Sequence, residues 1–458
     1  MAAQGMHGGC HAGRSVTEWL WPQRPPVPAR TCHRTTMTLP GAPFLAYQND
    51  QLCLEGHDLA QLAHQHATPL YVYSRQAMLS ALAPYHRALQ GRQHLVCYAV
   101  KANSNLAVLQ TFAQAGCGFD IVSAGELARV LAAGGDAGKV VFSGVGKTRA
   151  EMALALKAGV RCFNVESTAE LEVLSDVAAG LGVKAPVSLR VNPDVDAGTH
   201  PYISTGLKGN KFGVAHEQAL ASYRRAASLP GIRVVGIDCH IGSQITEVAP
   251  YLDALDRVLD LVEAIEAEGI TLHHMDLGGG LGITYTDETP PAADALIAAL
   301  LAKIDARGHG KRELLFEPGR SLVGNAGVLL TEVMYLKHGD QKNFCIVDAA
   351  MNDLMRPALY EAYMGIVNTA SNAEAPETWD VVGPVCESGD WLGRDRALAV
   401  KPGDVLAVLS AGAYGMTMAS NYNTRGRAAE LMVDGAKVSV VRERERVEDL
   451  FKQERLID

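Results

Sequence analysis

The stretch Tyr98-Ala99-Val100-Lys101-Ala102-Asn103 places a primary amine at the end of an apolar run, His94 to Val100, of the kind that forms a buried strand. A lysine at the mouth of such a strand loses part of its hydration, which lowers its pKa and makes the amine nucleophilic toward a carbonyl, as Schiff-base chemistry requires. Taken alone, a solvated lysine at a strand end is the commoner case. Four further groups change that balance. The run Gly278-Gly279-Gly280 offers unhindered backbone N–H groups to a phosphate, helped by Gly242 and Ser243 in His240-Ile241-Gly242-Ser243-Gln244. His240 can lie flat against an aromatic ring, and Glu317, in Glu317-Pro318-Gly319-Arg320, can pair with a protonated ring nitrogen. Each has a plainer reading when taken singly: a flexible turn, a structural histidine, an ion pair with a neighbouring arginine. Together, an amine, a phosphate cradle, a stacking ring and a carboxylate for a pyridinium are what pyridoxal 5'-phosphate needs.

Other motifs fail on inspection. Gly144-Val145-Gly146-Lys147-Thr148 looks like the end of a phosphate-binding loop, but Val141 stands where its first glycine belongs. There is no Gly-x-Ser-x-Gly elbow, and no histidine pair has metal-ligand spacing with a carboxylate, so no metal site is expected.

These residues need elements to hold them. The chain has 458 residues, 48% hydrophobic and 20% charged, which suits a packed globular protein of two domains. A net charge of −9 without a basic run argues against nucleic acid and anionic membranes as partners. No apolar run approaches the roughly 18 residues that span a bilayer. Nine scattered cysteines, with no Cys-x-x-Cys pair, fit a reducing compartment and point to the cytoplasm. Residues 1–36 differ from the rest, with four arginines against the single acid Glu18 and a proline cluster at 22–28. They read as a disordered extension or translation from upstream of Met37, with a transit peptide as the alternative.

From residue 94 onward, short β-branched runs at 94–100, 118–122, 139–143, 161–165, 187–191, 233–239, 273–277 and 313–317 alternate with helical segments at 104–115, 124–134, 148–158, 167–181, 214–228, 250–268 and 291–306. Eight such units without a break predict an α/β fold, a (β/α)8 barrel, over a doubly wound open sheet. In a barrel the chemistry gathers at the C-terminal ends of the strands, which is where Lys101, Asp120, Arg190, His240, Gly278 and Glu317 fall. After residue 320, strand-like pieces at 326–336, 343–348, 397–400, 404–409 and 429–441 predict a separate β domain. The short runs 44–47 and 51–54 are candidates to add strands to it. The expected division is therefore an extension at 1–36, an N-terminal segment at 37–70 packing with the β domain, a barrel at 71–320 and a β domain at 321–458. That last domain carries three further motifs: Arg356-Pro357-Ala358-Leu359-Tyr360, Cys386-Glu387-Ser388-Gly389-Asp390 and Ala413-Tyr414-Gly415.

In their order along the chain, these motifs, with Gly118-Phe119-Asp120, His200-Pro201-Tyr202-Ile203-Ser204-Thr205-Gly206 and Asn210-Lys211-Phe212-Gly213, resemble the diaminopimelate decarboxylases. These are alanine-racemase-like pyridoxal-phosphate enzymes of fold type III. The resemblance covers about residues 40 to 450 and leaves the N-terminal 36 outside it. It implies that Lys101 holds the cofactor covalently, that His240 stacks on its ring and that Glu317 keeps the ring nitrogen protonated. It further implies that Asp120, Gly242, Ser243, Gly278, Gly279, Gly280, Pro318, Gly319, Arg320 and Tyr414 belong to the cofactor site. Arg320, Arg356, Tyr360, Glu387 and Tyr414 are then expected to grip the substrate, and Cys386 to act as general acid. The family works as a homodimer with shared active sites, so Cys386 and Glu387 would come from the partner chain. The activity implied is decarboxylation of meso-diaminopimelate to L-lysine. Relatives that act on ornithine carry an aspartate after the cysteine, whereas Glu387 with Arg356 suits a zwitterionic distal end. Lys101, Glu317 and Cys386 separate the chain from non-catalytic homologues.

Overall fold

Eight short strands pair in parallel and meet again at the first, closing a barrel. A computed structural model describes residues 39–196, 198, 210–371 and 374–457. The expected extension at 1–36 and the motif His200 to Gly206 lie outside the described residues. The barrel strands are β1 His94–Ala99, β2 Gly118–Ile121, β3 Val140–Phe142, β4 Cys162–Val165, β5 Ala185–Asn192, β6 Ile232–Asp238, β7 His274–Asp276 and β8 Glu313–Phe316. Each pairs with its sequence neighbour, β8 pairs with β1, and β4 with β5 completes the ring.

Successive strand residues point to opposite faces, and the sequence obeys that period. Leu95, Cys97, Val141, Cys162, Val235 and Leu315 form a small cluster of their own in the lumen. Their neighbours Val96, Tyr98, Val140, Phe142, Phe163, Val187, Leu189, Ile237, Met275, Leu314 and Phe316 belong to the larger core shared with the helices. Tyr98 stacks on Phe112 with centroids 4.3 Å apart, a pair that adds about 0.5–1.5 kcal/mol beyond its burial.

Eight helices cover the outside: α1 Arg75–Ala88, α2 Leu106–Gln114, α3 Ala124–Ala132, α4 Arg149–Ala158, α5 Thr168–Gly180, α6 His216–Ser228, α7 Ala249–Ala267 and α8 Ala293–Ala306. Ser123, Thr148 and Ser167 start α3, α4 and α5, each hydroxyl accepting the N–H of a glutamate three residues on. Helix α1 is absent from the sequence-based expectation because Pro84 lies inside it and interrupts the helical pattern. It packs between α8 and α2, the place of a helix after β8, where only the turn-length Arg320–Val323 forms.

The second sheet runs in the order Trp391–Leu398, Glu377–Val382, Phe344–Val347, Gly327–Lys337, Leu70–Ser74, Ala429–Asp434, Lys437–Arg442. Val405–Val408 also pairs with Gly327–Lys337. The N-terminal contribution differs from expectation. Leu70–Ser74 is the strand inserted into this sheet, antiparallel to Gly327–Lys337 and parallel to Ala429–Asp434, and the expected boundary at 70/71 runs through it. The runs near 44–47 and 51–54 instead build their own three-stranded sheet, Leu45–Gln48, Gln51–Leu54 and His57–Asp58. Asn49 and Asp50, with φ of 49° and 64°, make the tight turn that closes this hairpin on itself. Its Leu45, Leu52 and Leu54 pack with Val328, Leu330 and Leu431 of the larger sheet. Among the described residues, no helix is long and apolar enough to cross a membrane.

Candidate active site

The period that fills the lumen with apolar side chains also delivers the chemistry. At or just beyond the C-terminal ends of the strands stand Lys101, Asp120, Asn164, Arg190, Asp238, His240, Asp276 and Glu317, with Asn164 and Glu317 two residues after the lumen residues Cys162 and Leu315. Lys101 sits on a single turn, Val100–Ala102, directly after β1. Its Nζ donates to Asp120 Oδ2 at 2.5 Å. The expected lowering of the lysine pKa is not what the structure shows. Burial pushes it down, but the carboxylates of Asp120 and Glu317 outweigh burial, and the amine is held as an ammonium with its pKa raised. Glu126, caged by burial close to this pair, is raised to about 7.

Beneath the lysine lies a group that sequence reasoning did not single out. Asp238, Asp276 and Glu317 are all buried and offer oxygens within 4.8 Å of one another. The nearby cations already have carboxylates of their own, Lys101 with Asp120 and Arg190 with Glu166 at 3.1 Å. Burial, and next the neighbouring carboxylates, push Asp238 and Glu317 well above the usual range. Asp276 is raised by burial to about 6 even though Gly278 N–H donates to it at 3.0 Å. Asn164 Nδ2 donates to Glu317 Oε1 at 3.3 Å. The signal that marks Asp238 and Asp276 is their position, each the last residue of its strand.

His240 is neutral, its pKa pushed well down by burial and then by Arg190 and Lys101. Gly279 N–H donates to its Nδ1 at 3.2 Å, which places the ring proton on Nε2 and fixes the ring plane. The glycines let three strand ends touch backbone to backbone. A Cβ on Gly279 would lie 2.1 Å from Glu317 O, and one on Gly280, at φ +98°, 2.4 Å from Gly242 O. Pro318 serves the frame rather than the cavity: its carbonyl accepts Ala99 N–H at 3.0 Å and ties β8 to β1. Gly319 fits tightly against Ala99 and Ala102, where a Cβ would meet both at 3.1 Å.

Above this floor is a cavity of about 510 Å³, lined by Lys101, His240, Ser243, Gly280, Glu317, Gly319, Arg320, Arg356, Tyr360 and Tyr414. Arg320 donates to Ser243 Oγ at 3.0 Å and its guanidinium lies 4.8 Å from the Tyr414 ring centre. Tyr414 N–H donates to Ala102 O at 2.8 Å, which ties the second sheet's loop to the Lys101 turn. Tyr285 and Glu288, which the sequence reading passed over, also line the cavity. Gly242, Gly278 and Gly279, expected at the cofactor, are not among the residues that line it. Cys386 and Glu387 do not line it. Both are exposed, on a turn where Cys386 N–H donates to Asn423 Oδ1 at 3.1 Å. Of the other motifs, Gly213 N–H donates to Glu166 Oε2 at 2.8 Å, and Phe212 lies under the Arg190 guanidinium at 4.9 Å.

These residues fit pyridoxal phosphate. Asp120 Oδ1 and Asp276 Oδ2 are buried and accept no hydrogen bond among the described residues, the cradle of Gly279 and Gly280 leaves no room for side chains, and the cavity has the size of a small-molecule site. The comparisons with known proteins agree. The family model of the pyridoxal-dependent decarboxylases, pyridoxal binding domain, matches residues 75–324. Diaminopimelate decarboxylase of Pseudomonas aeruginosa is 59% identical over 413 residues, 90% of this chain and 99% of that one. The enzyme of the same name from Vibrio cholerae is 56% identical over 415 residues, with 90% and 99% coverage. Diaminopimelate decarboxylase from Helicobacter pylori, solved in complex with L-lysine, superposes with a TM-score of 0.82 at 42% identity, covering 86% of this chain and 98% of that one. A likeness of this extent, in sequence and in three dimensions, carries a conclusion about kinship: the chain belongs to the pyridoxal-dependent decarboxylases, and among them to the diaminopimelate decarboxylases.

Proposed function

We propose that the chain decarboxylates meso-2,6-diaminopimelate to L-lysine and carbon dioxide, the last step of lysine biosynthesis. The observation that carries this reading is the charge layout of the cavity. An amine, Lys101, stands at its floor, and two buried guanidiniums, Arg320 and Arg356, stand at its wall with no carboxylate partner among the described residues. Such a site suits an amino acid that carries a second carboxylate at its far end, since a substrate without one would leave buried charge unpaired. Bound pyridoxal phosphate supplies the electron-withdrawing ring that takes up charge as carbon dioxide departs.

The chain's own residues do the rest. Lys101 would hold the cofactor covalently, and Asp120 holds the Lys101 ammonium in place at 2.5 Å. Glu317 would pair with the ring nitrogen, and neutral His240 would support the ring. Ser243 and the Gly280 N–H would bind the phosphate; the expected cradle of three N–H groups is reduced to one, because the Gly278 and Gly279 N–H groups are held by Asp276 Oδ1 and His240 Nδ1. Arg320 and Arg356 take the distal carboxylate, with Tyr360 and Tyr414 closing the wall. In this reading two chains form a homodimer: Glu387 of the partner subunit takes the distal ammonium, and Cys386 of the partner subunit protonates the carbon that has lost its carboxylate. Their exposure on this chain and their absence from its own cavity support that assignment.

The test is carbon dioxide release from the purified holoenzyme offered meso-diaminopimelate, L-lysine, L-ornithine and L-arginine separately. Release from meso-diaminopimelate alone, with L-lysine as product, is expected. Release mainly from ornithine or arginine would keep the fold and overturn the role given to the two arginines.

A further inference from the structure

Two cations side by side in a buried wall repel each other, and something must hold them. Among the described residues one oxygen is shared by both: Tyr285 Oη accepts from Arg320 Nη1 at 2.7 Å and from Arg356 Nη1 at 2.7 Å. We propose that Tyr285 is a positioning residue that holds Arg320 and Arg356 at a fixed spacing as a preformed fork for the substrate's distal carboxylate. The inference rests on the distal grip described above.

The chemistry of the bridging atom matters. A carboxylate between the guanidiniums would neutralise them and compete with the substrate for their donors. A phenol oxygen spends its two acceptor sites on one N–H from each and leaves both positive charges for the ligand. The bridge is itself held rigidly. Tyr285 N–H and Thr286 N–H donate to the Glu288 carboxylate at 2.9 and 2.7 Å, and Thr284 Oγ1 donates to Glu288 O at 2.8 Å. One residue earlier, the Gln244 amide clasps Ile283 at both backbone groups, donating to its O at 2.7 Å and accepting from its N–H at 3.1 Å. The turn after β7 is thus pinned to the turn after β6, and the ring it carries is buried. Preorganisation of this kind lowers the cost of ordering the arginines when the ligand binds.

Tyr285→Phe removes the oxygen and keeps the ring with its packing. In the holoenzyme it is expected to raise KM for meso-diaminopimelate roughly tenfold while kcat changes by less than about twofold. Inhibition by L-lysine, which keeps the distal carboxylate, weakens by a similar factor. Inhibition by 1,5-diaminopentane, which has no carboxylate, is unchanged, as is the visible absorbance of the lysine-bound cofactor. Glu288→Gln, which loosens the turn without touching the ring, shifts KM in the same direction by a smaller factor. An unchanged KM in Tyr285→Phe, or equal weakening of L-lysine and 1,5-diaminopentane, overturns the proposal. Arg356→Ala separates the two levels. If it too leaves KM unchanged, the distal grip itself is wrong. If it raises KM while Tyr285→Phe does not, only the assignment to Tyr285 falls.

Discussion

Lys101 shows how charge context decides the state of a reactive group. A buried amine without company would sit low and free, but Asp120 at 2.5 Å and the Glu317 carboxylate reverse the effect of burial. A raised pKa means a smaller fraction of free amine at any given pH, so capture of pyridoxal phosphate by the cofactor-free protein accelerates as pH rises into the alkaline range. Asp120→Asn removes the nearer carboxylate, lowers the lysine pKa and moves that acceleration to lower pH. An unmoved profile would show that Asp120 does not set the lysine's charge. The lysine was legible in the sequence because an amine ends an apolar run, and His240, Ser243 and Glu317 were legible from the motifs around them. The lowered pKa expected for Lys101 was not, because it depends on acids brought from β2 and β8. Asp238 and Asp276 escaped notice for a related reason: each is one acid after one apolar strand, and only closure of the barrel brings them within 4.8 Å of Glu317.

At the scale of elements, the cradle and the rim loops depend on fits that tolerate little change. Gly279 has no space for a methyl group because Glu317 O would be 2.1 Å away, and both partners are backbone. Gly279→Ala must therefore separate the ends of β7 and β8, at a cost of about 1–3 kcal/mol, and weaken phosphate binding with it. Thermal unfolding of the cofactor-free protein and a cofactor titration check both halves, and a variant with wild-type values in each would refute the close-packing argument. A second prediction concerns the loop that carries Asn421 to Arg427. Glu445 anchors it, accepting from Asn421 Nδ2 at 2.8 Å and Arg427 N–H at 2.9 Å, beside the guanidiniums of Arg427 and Arg442. Burial works against the charge, yet these donors win and lower the Glu445 pKa to about 2. Since the folded value lies below the unfolded value of about 4.3, the stabilisation is present above pH ~4.3 and is lost as pH falls toward 2. The stability gap between wild type and Glu445→Gln should be full near neutrality and close over that window; a pH-independent gap would mean packing rather than charge. Most barrel elements were legible because strand and helix periods alternate cleanly. Helix α1 was hidden by Pro84, and the strand Leu70–Ser74 lay across an expected boundary because its partners, Gly327–Lys337 and Ala429–Asp434, are more than 250 residues away in the chain.

For the whole molecule, the decisive fact is where the proposed acid lies. Cys386 and Glu387 are exposed and line no part of the cavity that holds Lys101, while Leu359, Tyr363 and Tyr422 add apolar surface that is also left exposed. A buried general acid works only within hydrogen-bond reach of the atom it protonates. A chain acting alone would therefore present an open, incomplete site, and a two-fold partner placing its 386–387 turn over the cavity would complete both sites at once. The sequence carried this arrangement only through family resemblance, since no periodicity or spacing within one chain encodes which surface meets its copy. The proposal is tested by complementation. Lys101→Ala and Cys386→Ala homodimers are each expected to be nearly inactive. When the two are mixed and allowed to exchange subunits, half of the dimers become hybrids, and each hybrid holds one site with an intact lysine from one chain and an intact cysteine from the other. Activity should return to about a quarter of wild type. Absence of recovery, with hybrid dimers demonstrated in the mixture, would place the lysine and cysteine of each site on the same chain.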